Sequence, residues 1–180
     1  MYNKIIVEGP NNVGKTTFIN MLLSSDACAG WSVEHVTSAA PNDLEFYTKT
    51  LATGKNVIFD RHCIGELVYP KLYGRPANVS LTDVKKLLKS YRDELLVIFI
   101  DADYTFIANA CSNKDEIFMF DNVRNERDAF KNLRKEFRGT NVIELVNHID
   151  ATYYDEADLK YGLSIIKNKL VGDWIDDICE

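Results

Sequence analysis

Apolar residues recur along the chain in short blocks that switch between two periods, and this switching predicts the fold. Lys4-Ile5-Ile6-Val7-Glu8 is an apolar, β-branched run ending at Gly9, which predicts a first strand. Residues 15–24 place Phe18, Ile19, Met21, Leu22 and Leu23 at helical spacing, so the chain opens with a strand, a loop and a helix. Residues 32–37 predict a second strand, Pro41 interrupts the chain, and residues 43–53 predict a helix stopped by Gly54. Asn56-Val57-Ile58-Phe59-Asp60 predicts a third strand. Ser80 with Asp83 three residues on has the form of a capping box, and Leu81, Val84, Leu87, Leu88 and Tyr91 continue it as a helical apolar stripe. Leu95-Leu96-Val97-Ile98-Phe99-Ile100 is apolar without alternation, as in a strand covered on both faces of a parallel sheet. Residues 141–146 predict a fifth strand, and Leu159, Leu163, Ile166 and Leu170 mark the buried face of a last helix.

Strands alternating with helices imply right-handed crossovers and an open, five-stranded parallel sheet with helices on both faces, an α/β fold. Ligands then bind at the carboxyl ends of the strands. Composition changes this picture little: 180 residues with 46% hydrophobic content suit a single domain, expected to span 1–180. A net charge of −6 argues against a broad nucleic-acid surface, which needs clustered Lys and Arg. The four cysteines, Cys28, Cys63, Cys111 and Cys179, form no C-x-x-C pair and so suggest neither zinc nor a disulfide framework. The run at 95–100 is too short to cross a bilayer and no signal pattern opens the chain, so no membrane association and a cytoplasmic location are expected.

The chemistry is concentrated after the first strand. Gly9-Pro10-Asn11-Asn12-Val13-Gly14-Lys15-Thr16 satisfies G-x-x-x-x-G-K-[ST] between a predicted strand and a predicted helix, the context in which this pattern binds nucleotide phosphates. Its glycines let backbone N–H groups curl inward, and the helix N-terminus adds partial positive charge toward an anion. Lys15 is expected on the β- and γ-phosphates of ATP, and Thr16, followed by Thr17, supplies a hydroxyl to Mg²⁺. The third strand ends in Asp60-Arg61, a carboxylate for the metal and a cation for a second anion, which suits phosphoryl transfer to an acceptor. Asp101, ending another apolar strand, is the rival metal carboxylate. Glu8, at the end of the first strand, is placed either to contact or deprotonate an acceptor or to hydrogen-bond loop backbone.

Glu8-Gly9-Pro10-Asn11-Asn12-Val13-Gly14-Lys15-Thr16-Thr17, followed by Asp60-Arg61-His62, Glu66-Leu67-Val68-Tyr69 and Ile149-Asp150-Ala151, resembles the thymidylate kinase and deoxynucleoside kinase superfamily. The resemblance implies strand order 2-3-1-4-5, a lid around 102–120, Asp60 holding Mg²⁺ through water, Arg61 on the acceptor phosphate and the loop after Val146 against adenine. It also implies a homodimer. Thymidylate kinases usually carry an acidic residue where Asn11 stands, and their lid brings arginines to the transferring phosphate. No arginine lies between Arg92 and Arg124, so Lys114, Arg124 or Arg127 must substitute. For the acceptor, Phe46, Tyr47, Tyr69 and Tyr73 are either core or stacking rings, and Arg75 in its Gly-Arg-Pro loop either clamps a phosphate or is solvated.

The expected reaction is transfer from Mg·ATP to a nucleoside monophosphate, a pyrimidine such as dTMP, with a 5′-hydroxyl nucleoside as the alternative acceptor. A polynucleotide kinase would need a basic, aromatic-lined channel that the acidic composition does not advertise. A GTPase switch fits poorly: Asn113-Lys114-Asp115-Glu116 ends in Glu where N-K-x-D needs Asp, and Asp60-Arg61-His62-Cys63 lacks the glycine of D-x-x-G. His35, His62 and His148 have no metal-ligand spacing. The charged run 131–138 reads as the solvated face of a helix with Leu133 and Phe137 turned inward.

Overall fold

In a computed structural model, residues 2–112, 120–137, 142–147 and 164 are described. Five strands, β1 (Lys4–Glu8), β2 (Ser32–His35), β3 (Val57–Asp60), β4 (Leu95–Ala102) and β5 (Val142–Asn147), form one sheet in the order β2-β3-β1-β4-β5, as expected. Every pairing is parallel. Among the described residues the α-helices are α1 (Lys15–Leu23), α2 (Leu44–Leu51), α3 (Tyr69–Tyr73), α4 (Leu81–Ser90), α5 (Tyr104–Ser112) and α6 (Phe120–Arg134).

The period of two along the strands divides the core between the sheet's faces. Ile5, Val7, Ile58, Leu96 and Ile98 pack with Phe18, Ile19 and Leu22 of α1 and Ile107 of α5. Ile6, Val57, Phe59, Val97 and Phe99 pack on the other face with Tyr47 and Leu51 of α2, Val84, Leu87 and Leu88 of α4, and Phe130 of α6. Because β1 and β4 lie inside the sheet with helices on both sides, neither face of them can be polar, and Ile5, Ile6 and Val7 are fully buried. Each such side chain contributes roughly 1.5–3 kcal/mol relative to exposure.

Several boundaries move from those expected. α1 ends one residue early at Leu23, with Ser24 as its C-cap, and α2 loses its last residues because Ala52 already caps it. β2 stops at His35 rather than reaching Thr37, since its partner β3 ends at Asp60, in register with His35. β4 runs on to Ala102, paired with Asn147 of β5. The capping box forms: the Ser80 side chain accepts from the Asp83 N–H, and the Asp83 carboxylate accepts from the Ser80 N–H. The short α3 has no expected counterpart. It starts beside Pro70, where proline's missing N–H is harmless, and ends at Gly74 in the left-handed conformation. The proposed lid, 102–120, contains α5; residues 113–119, with Lys114, lie outside the described residues, as do 148–163 and 165–180, which carry the expected last helix, His148 and Ile149-Asp150-Ala151. Of the run at 131–138, residues 131–137 belong to the end of α6 and the turn after it, with Phe137 buried and Leu133 half-buried, as expected. Among the described residues no helix is long and apolar enough to cross a membrane.

Candidate active site

The loop between β1 and α1 lies at the carboxyl end of the sheet, with β3 and β4 on either side of β1. Gly9 has φ 143°, and a Cβ there would stand 2.0 Å from the carbonyl oxygen of Ile100, so the loop crosses β4 at a distance only glycine permits. Asn12 (φ 60°) and Gly14 (φ 94°) are also left-handed, and Gly14 is the N-cap of α1. Val13 is buried under the loop, while Asn11, Thr16 and Thr17 are exposed on it.

Lys15 is buried, and its ammonium donates to the carbonyl oxygens of Gly9 (3.1 Å) and Pro10. Burial, aided by the Arg61 charge, lowers its pKa to about 7, against opposing pulls from Glu8, Asp60 and Glu126. A phosphate arriving in the loop would draw this ammonium away from two neutral carbonyls, a favourable exchange for a desolvated charge.

Beyond β3, Arg61 adopts φ 70°, unusual for a residue with a Cβ. Its backbone N–H still reaches the Val7 carbonyl at 3.0 Å, which anchors the turn to β1. Its guanidinium donates to the Gly9 carbonyl (3.1 Å), to Asn11 Oδ1 (2.6 Å) and to the Tyr69 hydroxyl, and lies 4.9 Å from the centre of the Tyr69 ring. The cation thus sits at the rim of the phosphate loop, stacked on an aromatic ring.

Asp60 is buried. Its Oδ2 faces His35 Nδ1 at 3.0 Å, whereas Oδ1 is buried with no hydrogen-bond partner. A carboxylate oxygen left without a donor beside Lys15 fits a hydrated Mg²⁺, with the Thr16 hydroxyl as a second ligand. Asp101, the rival carboxylate, is engaged otherwise: Arg127 donates to it from Nε at 3.0 Å and from Nη2 at 3.4 Å, and the Ala102 N–H adds a third contact.

Glu8 is fully buried. Its Oε1 accepts from the backbone N–H groups of His62 (2.7 Å) and Gly65 (3.1 Å), so of the two expected roles it fills the backbone one, toward the turn after β3. Desolvation raises its pKa, against the nearby charges of Arg61 and Lys15.

The structure brings in Glu126, which sequence reasoning missed. It projects from α6, is buried, and accepts from the Asn11 backbone N–H (2.8 Å), from Asn11 Nδ2 (3.2 Å) and from the Tyr69 hydroxyl (2.8 Å). Arg61, Asn11, Glu126 and Tyr69 therefore form a closed ring of hydrogen bonds. The only signal available in the sequence was an acidic residue on the same helical face as Phe130 and Leu133.

Other expected acceptor residues are occupied elsewhere. Arg75 is not a free clamp: it is half-buried and both arms donate to the buried Glu66, at 2.7 and 2.6 Å, and Glu66 also accepts from the Asn78 N–H. Phe46 packs edge-on to Tyr47 against the core, and Tyr47 is itself core, its hydroxyl donating to Asn42. Tyr73 is exposed and stacks on Tyr69 at 6.0 Å. His62 lies between Tyr47 and Phe59, each ring 4.8 Å away, and burial lowers its pKa to about 3. Of the expected lid cations, Arg127 is paired with Asp101, and Arg124 is exposed, two residues before Glu126 and so on the far side of α6 from it.

No family model matches the chain, and no curated protein does. Solved structures do. The YorR protein from Bacillus subtilis, in complex with phosphorylated GDP, is 17% identical, with a TM-score of 0.74 over 92% of this chain and 96% of that one. Deoxyadenosine kinase from M. mycoides with bound dCTP is 14% identical, with a TM-score of 0.58 over 92% and 99%. A gluconokinase from Sinorhizobium meliloti 1021 is 14% identical, with a TM-score of 0.57 over 94% and 95%. At these identities the likeness establishes the fold, which is the fold of P-loop kinases.

Proposed function

We propose that the chain is a nucleotide kinase, transferring the γ-phosphoryl group of ATP to the phosphate of a nucleoside monophosphate and releasing the diphosphate. The observation that carries this reading is Arg61, a guanidinium held on Tyr69 at the rim of the phosphate loop, within 3.1 Å of Gly9 and 2.6 Å of Asn11. Placed there, it suits the binding of a second anion in line with a donor phosphate. Lys15 and the loop amides would stabilise charge on the donor, and Thr16 and Asp60 would hold Mg²⁺, which supplies charge neutralisation between the phosphates. The bound dCTP of the deoxyadenosine kinase and the phosphorylated GDP of YorR support a nucleotide ligand for this fold. Residues 9–17 are proposed for ATP, and Glu8 acts behind them. Tyr69 remains a proposed acceptor contact, while Phe46 and Arg75 are better assigned to the walls of that side than to direct contact.

The acceptor's chemistry follows from which carboxylates it can reach. A monophosphate is already nucleophilic, whereas a hydroxyl needs a base within hydrogen-bond distance. Glu8, one of whose alternative roles from the sequence was that of a base, is fully buried behind backbone amides, which favours the phosphate acceptor. The second reading, a nucleoside phosphorylated on its 5′-hydroxyl, draws on Glu126, a carboxylate beside Asn11 and Tyr69. By resemblance to thymidylate kinases, a pyrimidine such as dTMP is the first acceptor to try, in a cytoplasmic enzyme that works as a homodimer.

The test is ADP release from Mg·ATP over a panel of deoxynucleosides, their monophosphates and short oligonucleotides. Turnover is expected with a monophosphate and lost in Lys15→Ala. In Arg61→Ala the acceptor KM is expected to rise about tenfold or more, with the ATP KM nearly unchanged. Stimulation by nucleosides alone would select the second reading, and stimulation by none would refute both.

A further inference from the structure

Arg61 is the residue on which the proposed acceptor site turns, yet nothing in its own side chain explains its backbone. A non-glycine residue at φ 70° persists only where its surroundings hold it. Upstream, the Arg61 N–H is bonded to Val7 and continues the sheet register. Downstream, the amides of His62 and Gly65 both donate to one oxygen of Glu8.

We propose that Glu8 is the positioning residue of the acceptor site: its carboxylate pins the turn that follows Arg61 and thereby holds the Arg61 guanidinium over the rim of the phosphate loop. The inference rests on the reading of Arg61 as the acceptor's cation. β1 delivers Glu8 from directly beneath the phosphate loop, so one residue ties the donor loop to the acceptor turn. The same clamp sets Tyr69, the ring on which Arg61 lies, because Gly65 packs against it. A Cβ on Gly65 would stand 3.3 Å from that ring and 3.6 Å from Glu8 Oε2. Another side chain there would press on the ring, while the carboxylate would stand at ordinary contact distance.

A base must reach its substrate, and Glu8 does not. It is fully buried, Oε1 accepts two N–H groups, and Oε2 is sealed from solvent. What the site uses is the acceptor oxygen, which a neutral amide can also provide. Glu8→Gln and Glu8→Ala therefore separate the two roles.

The experiment is steady-state kinetics of the full chain and its E8Q and E8A variants with the acceptor identified by the panel, together with amide hydrogen exchange at His62 and Gly65. E8A is expected to raise the acceptor KM about tenfold, with the ATP KM within about threefold, and E8Q to recover most of that loss. His62 and Gly65 should exchange at least about tenfold faster in E8A than in the parent and remain protected in E8Q. Loss of kcat in E8Q equal to that in E8A, with the acceptor KM unchanged, would make Glu8 a proton acceptor and overturn the proposal. So would unaltered exchange in E8A. If E8A does not fold, Glu8→Asp replaces it, one methylene too short to reach both amides. Should the parent turn over no acceptor, the kinase reading falls, while the exchange data still decide whether the clamp exists.

Discussion

The ammonium of Lys15 is buried in a loop shaped for anions, and its own partners there are two carbonyl oxygens. With a pKa lowered to about 7, it is partly neutral at physiological pH. A triphosphate in the loop restores the charged form, so binding should draw a proton from solvent. We expect nucleotide binding at pH 8 to take up close to one proton, read by calorimetry in buffers of different ionisation enthalpy, and Lys15→Ala to abolish the uptake. The sign for folding runs the same way. Between about 7 and the unfolded value of 10.5 the unfolded chain holds more protons, so the ligand-free protein gains stability as pH rises through that window. Residue by residue, this part of the site could be read from the sequence: the loop pattern and Lys15 follow β1, and the Asp60-Arg61 pair ends the neighbouring strand β3. Glu126 was not, because no pattern links Asn11 to a position 115 residues away.

At the scale of elements, the cleanest local signal in the chain is the capping box of α4. Ser80 Oγ accepts from the Asp83 N–H at 3.2 Å, and the Asp83 carboxylate answers at the Ser80 N–H at 3.2 Å. Ser80→Ala should cost about 1 kcal/mol, lowering Tm by roughly 2–4 °C; activity should be unaffected, since the cap fastens only the start of α4, whose inner face packs on the core through Val84, Leu87 and Leu88. Thermal melts beside the activity assay would check both parts. α3 and α6 behave differently. α3 is five residues long and contains a proline, too short for periodicity to reveal it, and it exists because Glu8 and the Glu66–Arg75 pair fasten the chain on either side. The length of α6 was hidden by its high charge, with only Phe130, Leu133 and a few neighbours marking its inner face. Its place over the loop depends on Glu126, and its Arg127 is committed to Asp101.

At the scale of the whole molecule, a buried histidine contributes to the acid dependence of stability. His62 is buried between Tyr47 and Phe59, with Nε2 2.8 Å from the Thr50 hydroxyl, and burial lowers its pKa to about 3. Between that value and the unfolded 6.5 the unfolded chain binds the extra proton, so stability falls as pH drops through this window. At pH 5 the loss from this one group is about 2 kcal/mol relative to neutral pH. Denaturant melts across pH 4–7 should show a shallower acid slope in His62→Gln than in the parent, and an unchanged slope would contradict the assignment.

What the sequence by itself determined was whatever is encoded over short distances. Apolar runs and helical stripes specified the five strands, α1, α2 and α4. The alternation of strands and helices specified an open parallel sheet, only the family resemblance implied its order, and G-x-x-x-x-G-K-[ST] specified the phosphate loop, because backbone curvature and a helix N-terminus are local properties. The tertiary structure alone decided which charged side chain meets which. It turned Glu8 toward His62 and Gly65, gave Arg75 to Glu66 and Asp101 to Arg127, and brought Glu126 across from α6 to Asn11. The physical reason is that burying a charge demands a partner, and the partner is chosen by proximity in the fold, which spacing along the chain does not express.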